Sequence, residues 1–488
     1  MDAEARAELR RKRAEKRKRY VRNRILFIAA LVIVLVFLVV VLAGNLRKIS
    51  ENSDSVSTQT DAMIETPADD PLASSGLEAN SGESNLQADG DGNSSEDGDG
   101  EYTSGSEEND SQDATAYDSE TTESNVTNPE ETDGADDDTV YEVTLVAIGD
   151  VLIHSPLLTM AEQSDGSYDF SGCFSVLKEE FTSADIAIVN QETIFGGASK
   201  GYTTYPCFNT PESLGDAEVE AGFDVILHAT NHVRDAGTDG IEYCLDYWQT
   251  SHPDTTVLGI HDSEEAASEI TYYECNGITF AMFNYTYGMN GFTIPSEQSY
   301  LVDLMNDDTK AKIIAEIEEA DENADFVIVF PHWGTENLVG DISSFQQEWA
   351  EIFVEAGADL IIGTHPHVLE PVEWYESANG NRALIFYSLG NYISNQQDMP
   401  NNVGGMAKVT VRRQGDETYI VEDESGCVPL INHSDKTGST PKFRVYRVAD
   451  YTDDLMSVHT IHRKNSSFTL SYVTDLAEEI LGEFLLWS

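Results

Sequence analysis

From Tyr141 onward, short runs of apolar residues recur along the chain, and each run ends in polar residues. These strand-like runs cover residues 143–150, 185–192, 223–232, 278–286, 325–334, 358–367 and 382–391. Between them lie amphipathic segments of helical length, such as residues 311–324 and 344–358. Alternating strands and helices are typical of α/β proteins, so the pattern predicts a layered α/β fold with sheets buried between helices.

The last part of the chain has a different pattern. Apolar and polar residues alternate at residues 406–414 and again at 442–451. Period-two alternation is typical of half-buried antiparallel strands. We therefore expect residues 397–488 to form a C-terminal extension that packs on the domain of residues 141–396 or continues it.

The amino-terminal part predicts a membrane anchor. Ile25 to Ala43 is a run of 19 uncharged, almost wholly apolar residues, which is about the length needed to cross a bilayer. The preceding residues 1–24 contain 11 Lys and Arg. We predict a transmembrane helix at 25–45, with a basic cytoplasmic segment before it and an extracytoplasmic domain after it. The alternative is a cleaved signal peptide, whose apolar core is usually shorter.

Residues 46–140 predict a disordered acidic linker. Residues 49–139 hold 27 Asp and Glu among Ser, Gly, Asn and Thr, and they contain no Lys or Arg. Low hydrophobicity with like charges cannot repay the entropy of folding. The simplest role for such a stalk is a spacer between the membrane and the folded domain.

Charge and cysteine content exclude several classes of protein. The net charge is −60, and most of it falls on residues 140–488, so nucleic acid is not an expected partner. The same repulsion opposes binding of an anionic polymer unless metal ions or a basic partner intervene. Five cysteines without a CxxC pair support neither a disulfide scaffold nor a thiolate metal site. One or two disulfide bridges are possible, and the sequence does not decide whether they form.

Six polar residues near the ends of the predicted strands suggest a metal site. Because the carboxyl ends of parallel strands meet at one edge of a sheet, we expect these side chains to converge. Carboxylate, amide and imidazole groups suit divalent ions such as Zn, Mn or Fe, and two such ions could activate water for hydrolysis. The predicted ligands are Asp150, Glu192, Asn231, His332, His365 and His367. Pro366 predicts an extended path that places His365 and His367 on the same side of a loop.

Other polar residues near these ends have alternative roles. Asp150 could instead cap the helix that begins near Pro156. Asp235 could cap a helix after the turn at His232, or it could orient that imidazole. Arg234 is a candidate substrate-binding residue that could also pair with Asp235, and His154 is either a ligand or a local hydrogen-bond donor. Asn391, in the turn SLGN, is a second candidate for substrate binding.

Together these residues resemble the CapA family of poly-γ-glutamate capsule synthesis proteins. The motifs are GDVLIH, VNQET, ATNHVRDAG, PHWGTE, GTHPHVLEPVE and YSLGNY, spread over residues 141–396. The resemblance implies a calcineurin-like metallophosphatase fold, with two β-sheets sandwiched between helices. It also implies that Asn231 binds metal, that His232 protonates a leaving group, and that His365 and His367 form the terminal ligand pair.

The resemblance further implies a role in making or exporting poly-γ-glutamate or a similar anionic envelope polymer, beside membrane-embedded synthase or export partners. The alternative is a metal-dependent phosphoesterase or other hydrolase, with His232 and Asp235 as catalytic residues. The chain departs from the family pattern because NQE replaces the acidic second motif. Whether Asn190 or Glu192 bridges the metals stays open, and Glu192 is preferred for its charge. Glu370 stands where the family usually has Gln.

Overall fold

Two β-sheets pack face to face in the computed structural model, which describes residues 139–487. The strands are, in chain order, β1 (Val140–Val151), β2 (Ile186–Asn190), β3 (Val225–Leu227), β4 (Thr256–Leu258), β5 (Thr271–Cys275), β6 (Ile278–Thr286), β7 (Phe326–His332), β8 (Leu360–Ile362), β9 (Val372–Glu376), β10 (Arg382–Phe386), β11 (Asn391–Ile393), β12 (Val403–Gln414), β13 (Glu417–Ile420), β14 (Gly426–Asp435) and β15 (Lys442–Arg447).

Ten α-helices pack against the two sheets within residues 139–487. They are α1 (Ser155–Ala161), α2 (Ser171–Phe174), α3 (Lys178–Ser183), α4 (Ser213–Ala221), α5 (Thr238–Ser251), α6 (Lys310–Asn323), α7 (Ser344–Ala356), α8 (Asp453–Val458), α9 (Thr460–Lys464) and α10 (Leu470–Leu481).

The first sheet has the order β15-β14-β12-β1-β2-β3-β4, with β11 paired to β1 and β13 to β12. Strands β1 to β4 run parallel, whereas β12 runs antiparallel along almost the whole of β1. The second sheet has the order β5-β6-β7-β8-β10-β9, with β6, β7, β8 and β10 parallel. Each sheet is therefore mixed. Antiparallel strands flank the parallel strands on one side in the first sheet and on both sides in the second.

Three apolar layers hold this arrangement together. Side chains from both sheets meet in a central layer that includes Leu145 of β1 and Ile328 of β7. A second layer joins the first sheet to α1–α5, and a third joins the second sheet to α6 and α7. Because the central strands are covered on both faces, they are continuous apolar runs rather than alternating ones. The fold is thus α/β with two sheets between helices, as the sequence predicts.

At its end β1 changes partner, and this change shapes the functional edge. It pairs with β12 up to Ile148 and then with β11, where Asp150 lies opposite Asn391. Gly149 lies at the change, and a Cβ on it would stand only 1.9 Å from the carbonyl oxygen of Gly390. Only glycine allows this close approach of two backbones.

Each predicted run contains a strand, but several strands end earlier than the run. The run at 223–232 forms a strand only over Val225–Leu227, so the following polar residues lie in a loop. The two predicted helices are α6 and α7, and Ser343 and Gln346 form a capping box at the start of α7. The alternating segments of the C-terminal extension form β12 and β15, in the same sheet as β1.

The predicted basic segment, transmembrane helix and linker lie outside the described residues, except for the last two residues of the linker, Thr139 and Val140. Within residues 139–487, no helix has the length and hydrophobicity to cross a bilayer. All five cysteines fall in this part of the chain, and each is a free thiol in the structure.

Candidate metal centre

The six predicted metal ligands meet at one edge, where the carboxyl ends of the central parallel strands of both sheets converge. Asp150 ends β1, Glu192 follows β2, Asn231 follows β3, His332 ends β7, and two histidines follow β8. All six side chains are at least 98% buried. Buried polar groups are costly unless they are hydrogen-bonded or bind an ion. The burial of six such groups at one point therefore indicates a site that binds an ion.

Asp150 contacts residues from both sheets. Its Oδ1 accepts hydrogen bonds from Asn190 Nδ2 at 2.9 Å and from the His365 backbone N–H at 3.2 Å. Its Oδ2 lies 3.0 Å from His367 Nδ1. Asp150 therefore does not cap a helix, and the residue before α1 is His154. Asn190 orients Asp150 and leaves Glu192 as the acidic residue at the centre of the site.

Glu192 lies between the ligands of the two sheets. Its Oε1 is 3.8 Å from both His332 Nε2 and His367 Nε2. Neither carboxylate oxygen has a hydrogen-bond partner among the described residues, although both are buried. Burial raises the pKa of this carboxyl, and the nearby Asp150 carboxylate raises it further. A buried carboxylate without a partner is typical of a position that binds a cation.

Two groups of potential ligands share Glu192. One consists of Glu192, His332 and His365, the other of Asp150, Glu192 and His367. In each group the ligand atoms lie within 4.8 Å of one another. Burial lowers the pKa of His332 and His365, so both imidazoles are held in the neutral form that binds metal. This donor set fits a divalent cation.

Asn231 completes this side of the site. Its Oδ1 lies 3.0 Å from His332 Nε2, and its Nδ2 donates to Asn290 Oδ1 at 3.2 Å. His332 Nδ1 lies 3.0 Å from Thr364 Oγ1. Each of these contacts fixes the orientation of a group that is able to bind metal.

The path through His365, Pro366 and His367 is not extended, contrary to the expectation from the sequence. His365 has φ 100° and His367 has φ 60°, a region that residues other than glycine rarely occupy. The two rings nevertheless lie close together, with centroids 5.8 Å apart. Local turns, rather than strand alternation, bring them to the same side. Strained backbone of this kind concentrates at functional sites.

His232 and Asp235 form a pair beside the six predicted ligands. His232 Nδ1 lies 2.6 Å from Asp235 Oδ2, which also accepts a hydrogen bond from the Phe208 backbone N–H at 2.7 Å. Asp235 thus contacts the imidazole, which is the second of the two roles considered for it. Since the carboxylate accepts the Nδ1 proton, Nε2 is the nitrogen left free for proton exchange.

The two predicted substrate-binding residues lie in different surroundings. Arg234 is partly exposed, with its guanidinium carbon 5.7 Å from the centre of the Phe292 ring. Asn391 is buried, and its Nδ2 donates to the His367 carbonyl and to two other acceptors. Only its Oδ1, which has no hydrogen-bond partner among the described residues, is left for a ligand. Asn391 therefore supports the loop that carries His367.

Sequence reasoning did not assign a site role to Glu336, Asn290 or Thr364. Glu336 is exposed, yet its carboxylate lies within 4.8 Å of ligand atoms on His365 and His367. Asn290 and Thr364 each contact a predicted ligand. Glu336 lies four residues after His332, at the end of the motif PHWGTE, and this spacing places it on the same loop. Asn290 is 59 residues from Asn231, so no local pattern connects the two.

The buried Glu370 gives a pH prediction. Its Oε2 accepts a hydrogen bond from Gln346 Nε2, its Oε1 has no partner among the described residues, and burial raises its pKa from 4.5 to about 8. The folded protein keeps this proton at pH values where the unfolded chain has lost it. Stability should therefore fall as pH rises from about 4.5 to about 8, by up to about 5 kcal/mol.

We expect Glu370→Gln to remove this part of the pH dependence. Thermal denaturation of the full-length chain between pH 5 and pH 9 should show the variant gaining stability over the wild type as pH rises. Glu376→Gln, at an exposed position at the end of β9, is the control and should follow the wild-type curve. Parallel curves for Glu370→Gln and the wild type would contradict the raised pKa.

Comparison with known proteins adds a family match. The model described as "Bacterial capsule synthesis protein PGA_cap" matches residues 144–396. The "PGA biosynthesis protein CapA" of Bacillus subtilis (strain 168) is 34% identical over 177 residues, which span 36% of this chain and 44% of the relative. The "Capsule biosynthesis protein CapA" of Bacillus anthracis is 27% identical over 311 residues, 63% of this chain and 72% of the relative. The chain thus aligns with less than half of the first of these relatives.

Solved structures give weaker matches. The calcineurin-like phosphoesterase YfkN of Bacillus subtilis is 11% identical with TM-score 0.30, and the match covers 69% of this chain and 100% of that one. A dimetal phosphatase from Danio rerio is 12% identical with TM-score 0.31, covering 57% of this chain and 98% of that one. Scores this low do not establish a shared fold.

Proposed function

The chain belongs to the family of bacterial capsule synthesis proteins, and from this premise we propose that it takes part in the synthesis or export of poly-γ-glutamate or a similar anionic envelope polymer. The observation that carries the proposal is the family match over residues 144–396. The names of the two CapA relatives support the polymer class. We further propose a calcineurin-like metallophosphatase fold for the described domain.

The cellular setting is also a proposal. The apolar run from Ile25 to Ala43 and the basic residues before it favour a single-pass anchor with its amino end in the cytoplasm. The folded domain would then work outside the membrane, at the end of an acidic spacer. Membrane-embedded synthase or export components are the partners that such a position suits.

The candidate metal centre would hold divalent ions, and we propose two. Glu192 belongs to both ligand groups, so it is the residue best placed to bridge them. His332 and His365 would hold one ion, while Asp150 and His367 would hold the other. Bound there, such ions would supply Lewis acidity and would lower the pKa of a coordinated water molecule.

The remaining groups of the site would handle protons and orientation. Asp235 fixes the His232 ring, so that Nε2 is available to pass a proton to a leaving group. Asn190 and Asn391 hold Asp150 and the His367 loop in place. These contacts favour a second candidate function, a metal-dependent phosphoesterase or related hydrolase acting on envelope substrates.

Complementation with His367→Ala tests the proposed function. In cells that lack the gene, we expect the wild-type chain to restore surface polymer and His367→Ala to restore less than about a tenth of it, because the variant loses a proposed ligand of the metal centre. The measurement is the amount of polymer released from the cell surface, with immunoblotting as a control for equal amounts of protein.

The control substitution is Lys178→Gln, at an exposed ion pair with Glu220 on the outer helical face. It should restore polymer as well as the wild type does. Full complementation by His367→Ala would mean that the metal centre is not needed for capsule formation. Unchanged polymer in cells without the gene would overturn the proposed function itself.

A further inference from the structure

Two lysines of the C-terminal extension differ from most other lysines of the domain. Lys178, Lys200, Lys310 and Lys312 each form an ion pair with a carboxylate. By contrast, Lys436 donates to the amide oxygen of Asn395, and Lys464 donates to that of Gln397. Among residues 139–487, neither ammonium group has a carboxylate oxygen within 4.0 Å. In so acidic a domain, cations held by neutral groups are unusual.

The two lysines lie near each other. Burial lowers the pKa of Lys436, and the positive charge of Lys464 lowers it further. Asn395 and Gln397, their hydrogen-bond partners, are also joined, because Gln397 Nε2 donates to the Asn395 carbonyl oxygen at 2.5 Å. The result is a local concentration of positive charge, which we call the lysine pair, beside the loop after β11 that carries Asn395 and Gln397.

Contacts connect the lysine pair to the metal centre. The Asn395 backbone N–H donates to His154 Nδ1 at 3.3 Å. The His154 ring packs edge-on against Phe208, with centroids 5.5 Å apart, and Phe208 packs edge-on against His232 at 4.8 Å. Burial lowers the pKa of His154 to about 4, and the charges of His367 and Lys436 also contribute. His154 therefore lies between the metal centre and the lysine pair.

Sheet topology places the lysine pair at the same edge as the metal centre. Strand β11 runs parallel to β1, with Asn391 opposite Asp150, so the loop that follows β11 leaves the sheet at its functional edge. Lys436 directly follows β14, and Lys464 ends α9. Both lie outside residues 144–396, which the family model matches.

We infer that the lysine pair is an oxyanion subsite that binds carboxylates of an anionic polymer whose neighbouring segment reaches the metal centre. This inference rests on the proposed function and names the substrate class of the same site. A domain with so large a negative charge repels polyanions, and a local pair of cations offsets that repulsion where the polymer must approach. Since no carboxylate holds the two ammonium groups, binding a polymer carboxylate breaks no ion pair.

Binding of a short γ-linked glutamate oligomer to the full-length chain in detergent tests the inference. The fluorescence anisotropy of a labelled oligomer, measured at low ionic strength, gives the affinity. We expect Lys436→Gln and Lys464→Gln each to weaken binding about 3-fold, and the double variant to weaken it about 10-fold. Lys178→Gln removes the same charge at a remote ion pair and should bind like the wild type.

The outcomes separate the inference from the proposed function. Equal affinity of the wild type and the double variant for the oligomer would overturn the inference that the lysine pair is an oxyanion subsite. Capsule complementation would still support the proposed function. An equal loss with Lys178→Gln would show that only net charge matters and would also overturn it. If inorganic phosphate bound in a lysine-dependent way while the oligomer did not bind, the subsite would serve a phosphoryl group, and the polymer assignment would be wrong.

Discussion

Glu192→Gln should abolish metal binding and at the same time stabilise the metal-free protein. The wild-type chain is expected to hold about two divalent ions, and the variant less than about half an ion, because the shared ligand loses its charge. Without metal, the variant no longer buries a carboxylate that lacks a hydrogen-bond partner. We expect the metal-free variant to be about 1–2 kcal/mol more stable than the metal-free wild type.

Elemental analysis of the purified full-length chain measures the first effect, and thermal denaturation in a chelator measures the second. Loss of metal together with a gain in stability is diagnostic. If Glu192 had a purely structural role, its substitution would destabilise the metal-free protein. The control is Glu220→Gln, which removes an exposed carboxylate from the ion pair with Lys178. Retention of both ions by Glu192→Gln would exclude Glu192 as the bridging ligand.

His232→Gln should separate proton transfer from metal binding. We expect phosphoester cleavage by the full-length chain to slow by about 10²–10³-fold while the metal content stays unchanged, because His232 is placed beside the ligands rather than among them. Turnover of a generic phosphodiester and monoester, measured together with bound metal, is the test. Loss of metal along with turnover would show that His232 belongs to the metal-binding set.

Asp235→Asn adds a readout that a structural role would not produce. An asparagine amide facing His232 Nδ1 would donate a hydrogen bond, so the ring proton would move to Nε2, and proton exchange there would change. We expect slower turnover and a shifted pH profile with unchanged metal content. Absence of turnover in the wild type would withdraw the hydrolase candidate and leave the capsule role standing.

The sequence predicted the layered α/β fold because buried strands and amphipathic helices differ in their apolar period. The predicted bounds of the run at 325–334 and of the helix at 311–324 agree with the structure to within two residues. Strand β14, which contains Pro429 and lies between β12 and β15, was not predicted. Strand β14 is buried on both faces, so it lacks the alternation of apolar and polar residues that predicted β12 and β15.

For the site, residue types and strand ends were sufficient to predict that six polar side chains converge at one edge, where the structure buries them. They were not sufficient to describe the loop at Pro366, because the positive φ angles of His365 and His367 depend on contacts with distant residues. The His365 N–H, for example, donates to Asp150, which is 215 residues earlier in the chain. Contacts of this kind leave no local pattern, and the supporting role of Asn290 was missed for the same reason.

The pairing of β1 with β12 has a consequence for the way the domain is assembled during translation. Val140 lies opposite Gln414, so the first strand of the domain waits for a partner that the ribosome makes about 270 residues later. At typical rates of synthesis this interval is on the order of 10–50 s. Until β12 emerges, one edge of β1 stays open and is able to pair with other chains. We therefore expect the nascent protein to be most prone to aggregation before residues 403–414 have been made.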